Sequence, residues 1–270
     1  MVSNADGTNR AAIYSGVKYC PAGLRNPSWS PDGKAIAFRK NCNGVGGNEP
    51  SLWRIDVSVV NGVPQGSNAR RLVTACGACG DPGWSPTGEV IVIGGGGVTG
   101  YGTGGAPSIF LVDSTTGAVQ TLYTAALGNS IWYSAWSSDG TRLAISEGEA
   151  STGRSVIRIV DRANGNVVKT LTPGPLFSPG IWFIDWARQG VDKLAFVDPS
   201  STRSVYTVDI ATETYTRIVD GNAPTWSPDN SKLAFNIVRS PGLVTIVTIE
   251  LATGIITKVG GGTFPDWRRF

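Results

Sequence analysis

The sequence predicts an all-β protein, a six-bladed β-propeller of four-stranded antiparallel blades. One phrase, Pro-Ser-Trp-Ser-Pro-Asp-Gly at residues 27–33, recurs with changes until the chain ends, and its tryptophans lie 40 to 55 residues apart. Repeats of this length are typical of propellers. No stretch has the periodicity of a long amphipathic helix. The six tryptophans that mark the blades are Trp29, Trp84, Trp136, Trp186, Trp226 and Trp267.

Each repeat predicts its strands in the same order. A first strand leads to the tryptophan, and a tight Pro-Asp-Gly turn follows, as at residues 31–33. The alternating run at 34–38 predicts the second strand. The third strand corresponds to runs such as 155–160, which close on an Asp-to-Gly turn before a short fourth strand such as 167–171. We expect the tryptophans to pack between neighbouring blades.

The two ends of the chain complement each other. Residues 1–10 match a third strand with its closing turn, and residues 263–267 match a first strand. We therefore expect one propeller domain over residues 1–270, whose last blade is shared by residues 1–15 and 263–270. This blade lacks its second strand unless residues upstream of the chain supply it.

Trp-Ser-Pro-Asp-Gly at residues 29–33, with Ile-Ala-Phe at 36–38 and Asn-Ala-Asp-Gly-Thr at 4–8, resembles the WD-like repeat of TolB-type β-propellers, a bacterial envelope family. The resemblance covers nearly the whole chain. It implies a binding or scaffolding role in the periplasm or outside the cell. These repeats occur in binding proteins and in enzymes, so the resemblance does not specify an activity. Unlike TolB itself, the chain has no separate amino-terminal α/β domain before its repeats.

Composition agrees with a single domain that has no membrane span and does not bind nucleic acid. The chain has 270 residues, of which 41% are hydrophobic, and contains no apolar run of about 18 residues that would span a bilayer. The formal net charge is +3, and the basic residues are scattered rather than arranged in a stripe that follows phosphates. We expect a monomer.

The four cysteines predict disulfides and therefore an oxidising compartment. We hypothesise that Cys20 pairs with Cys42 across one face of the first full blade, and that Cys76 and Cys79 close a small loop. The alternative is a metal or redox site, but a four-thiolate zinc site usually has two Cys-x-x-Cys pairs, and this chain has one.

One face of the propeller should carry the long loops. Residues 39–50, 94–107 and 172–182 fall between second and third strands or between blades, which share one face; we call it the long-loop face. The opposite, corner-turn face carries the short Pro-Asp-Gly turns. Binding residues concentrate in long loops on a rigid scaffold. The candidate binding residues on this face are Arg39, Lys40, Asn48, Tyr101, Trp132, Tyr133, Phe177 and Trp182.

The absence of histidine argues against an enzyme. Without histidine the chain cannot form a Ser-His-Asp or Cys-His catalytic system or a metal centre with imidazole ligands. A glycine-rich stretch near residue 95 has no Gly-Lys-Ser/Thr and no following helix, so it does not predict a phosphate site. We expect no catalytic residue, cofactor or metal. The remaining candidates for histidine-independent catalysis are the carboxylates Asp81, Asp185, Asp266, Glu147 and Glu149. The alternative roles for such carboxylates are to bind a cation or to cap the ends of strands.

Two classes of binding function remain. The first is recognition of a protein or peptide partner by the long-loop face and the mouth of the central channel. The second is a carbohydrate-binding propeller, in which rim aromatics stack on sugars. Trp132 and Trp182 both lie four residues before a periodic tryptophan, but Trp29, Trp84 and Trp226 have no such counterpart. This asymmetry favours the protein partner.

Overall fold

The structure, a computed structural model, consists of β-strands joined by turns. It describes residues 2, 11–14, 24–40, 51–73, 82–94, 106–173, 180–199, 203–240, 243–262 and 265–267. Within these ranges the strands form five four-stranded sheets, each of antiparallel neighbours in chain order. No helix in this part of the chain could cross a membrane. The all-β propeller predicted from the repeats is confirmed.

The twenty strands divide evenly among the five blades. Blade 1 comprises β1 (Leu24–Trp29), β2 (Ala35–Lys40), β3 (Ser51–Val60) and β4 (Val63–Val73). Blade 2 comprises β5 (Gly83–Trp84), β6 (Val90–Gly94), β7 (Ser108–Val112) and β8 (Val119–Thr124). Blade 3 comprises β9 (Ser130–Trp136), β10 (Arg142–Glu149), β11 (Arg154–Asp161) and β12 (Val167–Leu171). Blade 4 comprises β13 (Trp182–Trp186), β14 (Lys193–Asp198), β15 (Ser204–Asp209) and β16 (Tyr215–Asp220). Blade 5 comprises β17 (Asn222–Trp226), β18 (Lys232–Ser240), β19 (Leu243–Glu250) and β20 (Ile256–Gly261).

In blades 1, 3 and 5 the turn after the periodic tryptophan is held by its own side chains. In blade 1 the Ser30 hydroxyl donates to Asp32 Oδ1 at 2.6 Å, and the same oxygen accepts from the Lys34 N–H at 3.0 Å. Gly33 takes a φ of 64°, which suits glycine because it has no Cβ. Serine and aspartate make the same bonds in blades 3 and 5. The repeated phrase is therefore a turn motif that starts the second strand.

The periodic tryptophans pack between blades, as predicted. Trp186 is fully buried in a cluster that includes Ile157 and Ile159 of blade 3. Trp226 packs in the same way with Val197 and Val205 of blade 4. Burying so large a side chain at these junctions joins separate sheets into one core.

Blade 1 has a longer outer hairpin than the sequence predicted. The apolar run at residues 51–57 of the sequence predicts the third strand, but β3 continues to Val60 and turns at Asn61 and Gly62. These two residues have φ values of 51° and 79°, as in the tight hairpin turn that Asn-Gly favours. Blade 1 has no Asp-to-Gly closing turn at this position, so β3 and β4 pair over more residues, as far as Val60 and Val63.

The chain ends meet beside blade 1. Val2 forms an isolated bridge with Ala11, and Val2, Ile13 and Tyr14 pack against the cluster that contains Trp29. The Asp266 carboxylate accepts a hydrogen bond from the Trp29 N–H at 2.9 Å. The described terminal residues do not form a sheet, so the sixth, shared blade stays a prediction.

Candidate functional site

A cavity of about 140 Å³ lies where the first strands of the blades converge. It is lined by residues that immediately precede all six periodic tryptophans, so it is the central channel of the propeller. The lining residues from the six repeats include Pro27, Pro82, Tyr133, Phe183, Pro224 and Asp266. Because each repeat contributes, the site depends on closure of the whole ring.

The channel wall contains residues in unusual backbone conformations. Asn26, Phe183 and Ala223 have φ values of 54°, 53° and 52°, and each lies three residues before a periodic tryptophan. At the same place the pairing of the first strand with the second is irregular in all three blades. Such bulges redirect side chains and often lie next to binding sites. A positive φ is especially uncommon for a bulky residue such as Phe183.

Aromatic side chains occupy one side of the channel and continue outward. The rings of Tyr133 and Phe183 lie 4.5 Å apart, and the Phe183 ring meets the edge of Trp182 at 6.3 Å. The Arg203 guanidinium lies over the Trp182 ring at 5.6 Å. These four residues, from the channel outward Tyr133, Phe183, Trp182 and Arg203, are called the aromatic ladder below.

The residue directly before a periodic tryptophan often joins two blades. At three junctions its side-chain oxygen accepts a hydrogen bond from the backbone N–H of the next periodic tryptophan. The three pairs are Ser28 with Trp84 at 3.2 Å, Asp185 with Trp226 at 2.7 Å, and Asp266 with Trp29 at 2.9 Å. Two of the candidate carboxylates thus cap backbone groups, one of the roles considered for them.

Asp185 is also part of an ion pair near the channel. Arg188 contacts both of its oxygens, at 3.0 and 2.9 Å, and the Thr225 hydroxyl donates to it at 3.0 Å. The Arg188 guanidinium also donates to the Trp186 carbonyl. Arg188 stands where blades 1, 2 and 5 have proline. The departure of blade 4 from the repeated phrase is therefore explained by this charge pair.

Glu147 and Glu149 belong to a network between blades 2 and 3. Glu147 is only 1% exposed and accepts hydrogen bonds from Tyr123 at 2.6 Å and Asn129 at 2.5 Å. Burial, and then the bond to Glu147, raise the pKa of the Tyr123 hydroxyl above its usual range. Glu149 pairs with Arg158 at 2.5 Å. Both carboxylates have partners within the fold.

The predicted binding residues that the structure describes lie in strands, which corrects their assignment to loops. Arg39 and Lys40 end β2, because β2 pairs with β3 as far as Ser51. Lys40 Nζ lies 4.5 Å from the centre of the Trp53 ring and donates to the Tyr14 hydroxyl at 3.3 Å. Lys40 is therefore held by aromatic side chains at the edge of the long-loop face.

Trp132, Tyr133 and Trp182 lie in β9 and β13, again because strand pairing extends further than predicted. Only Tyr133 and Trp182 belong to the aromatic ladder; the Trp132 ring lies against Gly148, where a Cβ would be 2.6 Å from it. The other predicted residues, Asn48, Tyr101, Phe177, Asp81 and the four cysteines, lie outside the described residues.

The sequence did not point to Arg203 as a binding residue. An arginine before a strand is common on protein surfaces, and only folding brings it over Trp182. The available sign was that the sequence Arg-Ser-Val occurs at the start of the third strand in both blade 3 and blade 4, beginning at Arg154 and Arg203.

These features define the class of protein as a β-propeller with its candidate site on the channel axis. Solved structures support this class. The chain is similar to TolB from Acinetobacter baumannii, with a TM-score of 0.66 and 19% identity over 90% of this chain and 55% of that one. It is also similar to a putative TolB from Agrobacterium tumefaciens, with a TM-score of 0.65 and 21% identity over 91% and 86%. The fold is that of a TolB-like propeller.

An enzyme shares the same fold. Oligogalacturonate lyase in complex with manganese matches with a TM-score of 0.54 and 13% identity, over 90% of this chain and 66% of that one. No protein-family model matches the sequence, and no curated protein matches it at a significant level. The chain spans about half the length of the Acinetobacter protein. At these identities the similarities show the fold alone.

Proposed function

We propose that this protein is a non-catalytic binding propeller that recognises a protein or peptide through its long-loop face and channel mouth. The observation that carries the proposal is the channel cavity, lined by all six repeats and bearing Tyr133 and Phe183 on one wall. Bulged strands and left-handed residues at the same place in three blades support a wall shaped for a ligand.

The size of the cavity favours a side chain or a chain end over a free metabolite. Sites for small molecules usually measure about 300 to 1,000 Å³. The channel cavity, at about 140 Å³, is smaller. A peptide that inserts one or two groups there would make its remaining contacts on the long-loop face.

The environment of the carboxylates supports a role without catalysis. Asp185 and Asp266 cap backbone groups, and Glu147 is buried among its partners. A general acid or base must reach the substrate proton within hydrogen-bond distance. Carboxylates already engaged in joining blades are poorly placed for that work, and the chain has no histidine to replace them.

The described aromatic residues favour a protein partner over a carbohydrate. A sugar needs an open aromatic face. The Trp182 ring lies under Arg203, and the Trp132 ring lies against Gly148. Together with the similarity to TolB, this supports a binding role in the periplasm or outside the cell. We also propose that the protein acts as a monomer.

The test is a pull-down from an envelope and secreted extract, treated or untreated with glycosidases and analysed by mass spectrometry. The baits are the wild type, the double variant Tyr133→Ala/Phe183→Ala, and Val168→Ala on the outer strand β12 as the control. We expect a specific protein that survives glycosidase treatment, binds the control and is lost from the double variant. Binding lost on deglycosylation supports carbohydrate recognition instead, and equal binding by all three baits contradicts the channel site.

A further inference from the structure

Arg203 is the outermost member of the aromatic ladder and is held in place by its backbone. Its φ of 50° is uncommon for a residue with a side chain. Its carbonyl accepts a hydrogen bond from the Gly221 N–H at 2.8 Å, in the link between blades 4 and 5. Gly221 is itself confined, because a Cβ there would lie 2.4 Å from the Phe235 ring. The left-handed conformation of Arg203 is thus imposed by the fold.

The guanidinium of Arg203 is also oriented. Its central carbon lies over the Trp182 ring at 5.6 Å from the ring centre, and a cation over the face of an indole is attracted by the ring. Trp182 is fixed in turn by Phe183 at its edge and by the close approach of Gly180, where a Cβ would be 2.9 Å from the indole nitrogen. An arginine ordered before binding loses less entropy when it forms a bidentate bond to a carboxylate.

Two arginines on blades 3 and 4 have carboxylate partners, and Arg203 differs from them. Arg158 pairs with Glu149, and Arg217 pairs with Asp220, both at 2.5 Å. Among the described residues no carboxylate lies within ion-pair distance of the exposed Arg203. The segments that flank it and Trp182, residues 174–179 and 200–202, contain no Asp or Glu. Its charge is available to a partner.

We propose that Arg203 anchors a carboxylate of an acidic peptide segment, and that an apolar side chain of the same segment reaches Phe183 and Tyr133 at the channel. This rests on the proposed function and specifies the chemistry of the partner. The contacts of the ladder, at 5.6, 6.3 and 4.5 Å, form a path that an extended peptide of about five residues covers at about 3.3 Å per residue. A peptide is favoured over an acidic glycan because Trp182 offers its face to Arg203 rather than to a sugar.

The experiment measures binding of the whole chain to three matched sets of immobilised synthetic peptides. The sets share their apolar residues and differ in carrying Asp and Glu, the uncharged Asn and Gln, or Lys. The proteins are the wild type, Arg203→Gln, and the control Arg154→Gln, since Arg154 is also exposed and enters the third strand of blade 3. We expect the wild type to prefer the acidic set, Arg203→Gln to bind it about 10- to 100-fold more weakly, and the control to change little.

The remaining outcomes contradict the carboxylate anchor, the proposed function or the peptide as the occupant. If Arg203→Gln keeps the preference for acidic peptides, or if the wild type binds the uncharged set equally well, the carboxylate anchor is wrong and peptide binding stands. If the wild type binds no set, the proposed function is contradicted. If it binds no peptide but binds oligogalacturonate in a manner that depends on Arg203, the occupant is an acidic glycan. Thermal melting of each variant shows that it is folded.

Discussion

Removing the Asp185 carboxylate should destabilise the propeller far more than removing its counterpart in blade 1. Asp185 accepts from the Trp226 N–H at 2.7 Å and pairs with Arg188, and the two charged side chains are only 14% and 10% exposed. Asp185→Ala leaves the Arg188 cation buried without its partner, which costs about 3 to 5 kcal/mol. Ser28→Ala removes one neutral bond to the Trp84 N–H, worth about 1 kcal/mol.

Urea unfolding with linear extrapolation measures both losses. The double variant Asp185→Ala/Arg188→Ser should be more stable than Asp185→Ala alone, because it removes the uncompensated charge together with its partner. Serine is suitable because Ser138 occupies the same place in blade 3 and keeps a backbone N–H. The argument is refuted if Asp185→Ala costs no more than Ser28→Ala, or if the second substitution only adds to the loss.

Three further predictions concern the core, the turns and the cysteines. Trp136→Ala should cost about 3 to 5 kcal/mol and Trp132→Ala about 1 to 2 kcal/mol in the same assay, because the first is buried and the second half-buried; equal losses would place Trp132 in the core. The Ser227 hydroxyl and a backbone N–H lower the pKa of Asp229 to about 2, so its stabilising contribution, complete above about pH 5, is lost as the pH falls toward 2. Asp229→Asn should therefore flatten the loss of stability below about pH 4 in acid titrations followed by circular dichroism. Mass spectrometry after non-reducing digestion should show two disulfides, and four free thiols would contradict the predicted pairing.

The sequence could predict the blades because their signals are local. The Ser-x-Asp turn is built from residues two positions apart, such as Ser30 and Asp32, so the pattern that forms it is visible along the chain. Alternating apolar residues then identify the strands. The ends of strands were less predictable. Lys40 and Trp182 lie in strands because partner strands extend beside them, and pairing partners are not encoded at the residue itself.

The candidate site was predicted only in part. Tyr133 and Trp182 were predicted as aromatic binding residues of the long-loop face, and the structure brings both into the aromatic ladder. Trp132 lies four residues before a periodic tryptophan, as Trp182 does, yet its ring lies against Gly148 instead. The pairing of β9, which contains Trp132, with β10 is shifted by a bulge. A shift of one residue in register is enough to move a side chain to the other face of the sheet.

The sequence by itself determined the repeat and the turn that follows the periodic tryptophans, because both depend on residues close together in the chain. The tertiary structure alone decided which side chains meet. Asp185 contacts Trp226 because blades 4 and 5 pack side by side. Arg203 lies over Trp182 because β13 and β15 of blade 4 begin at the same end of their sheet. Such contacts depend on strand register and blade packing, which no single segment specifies.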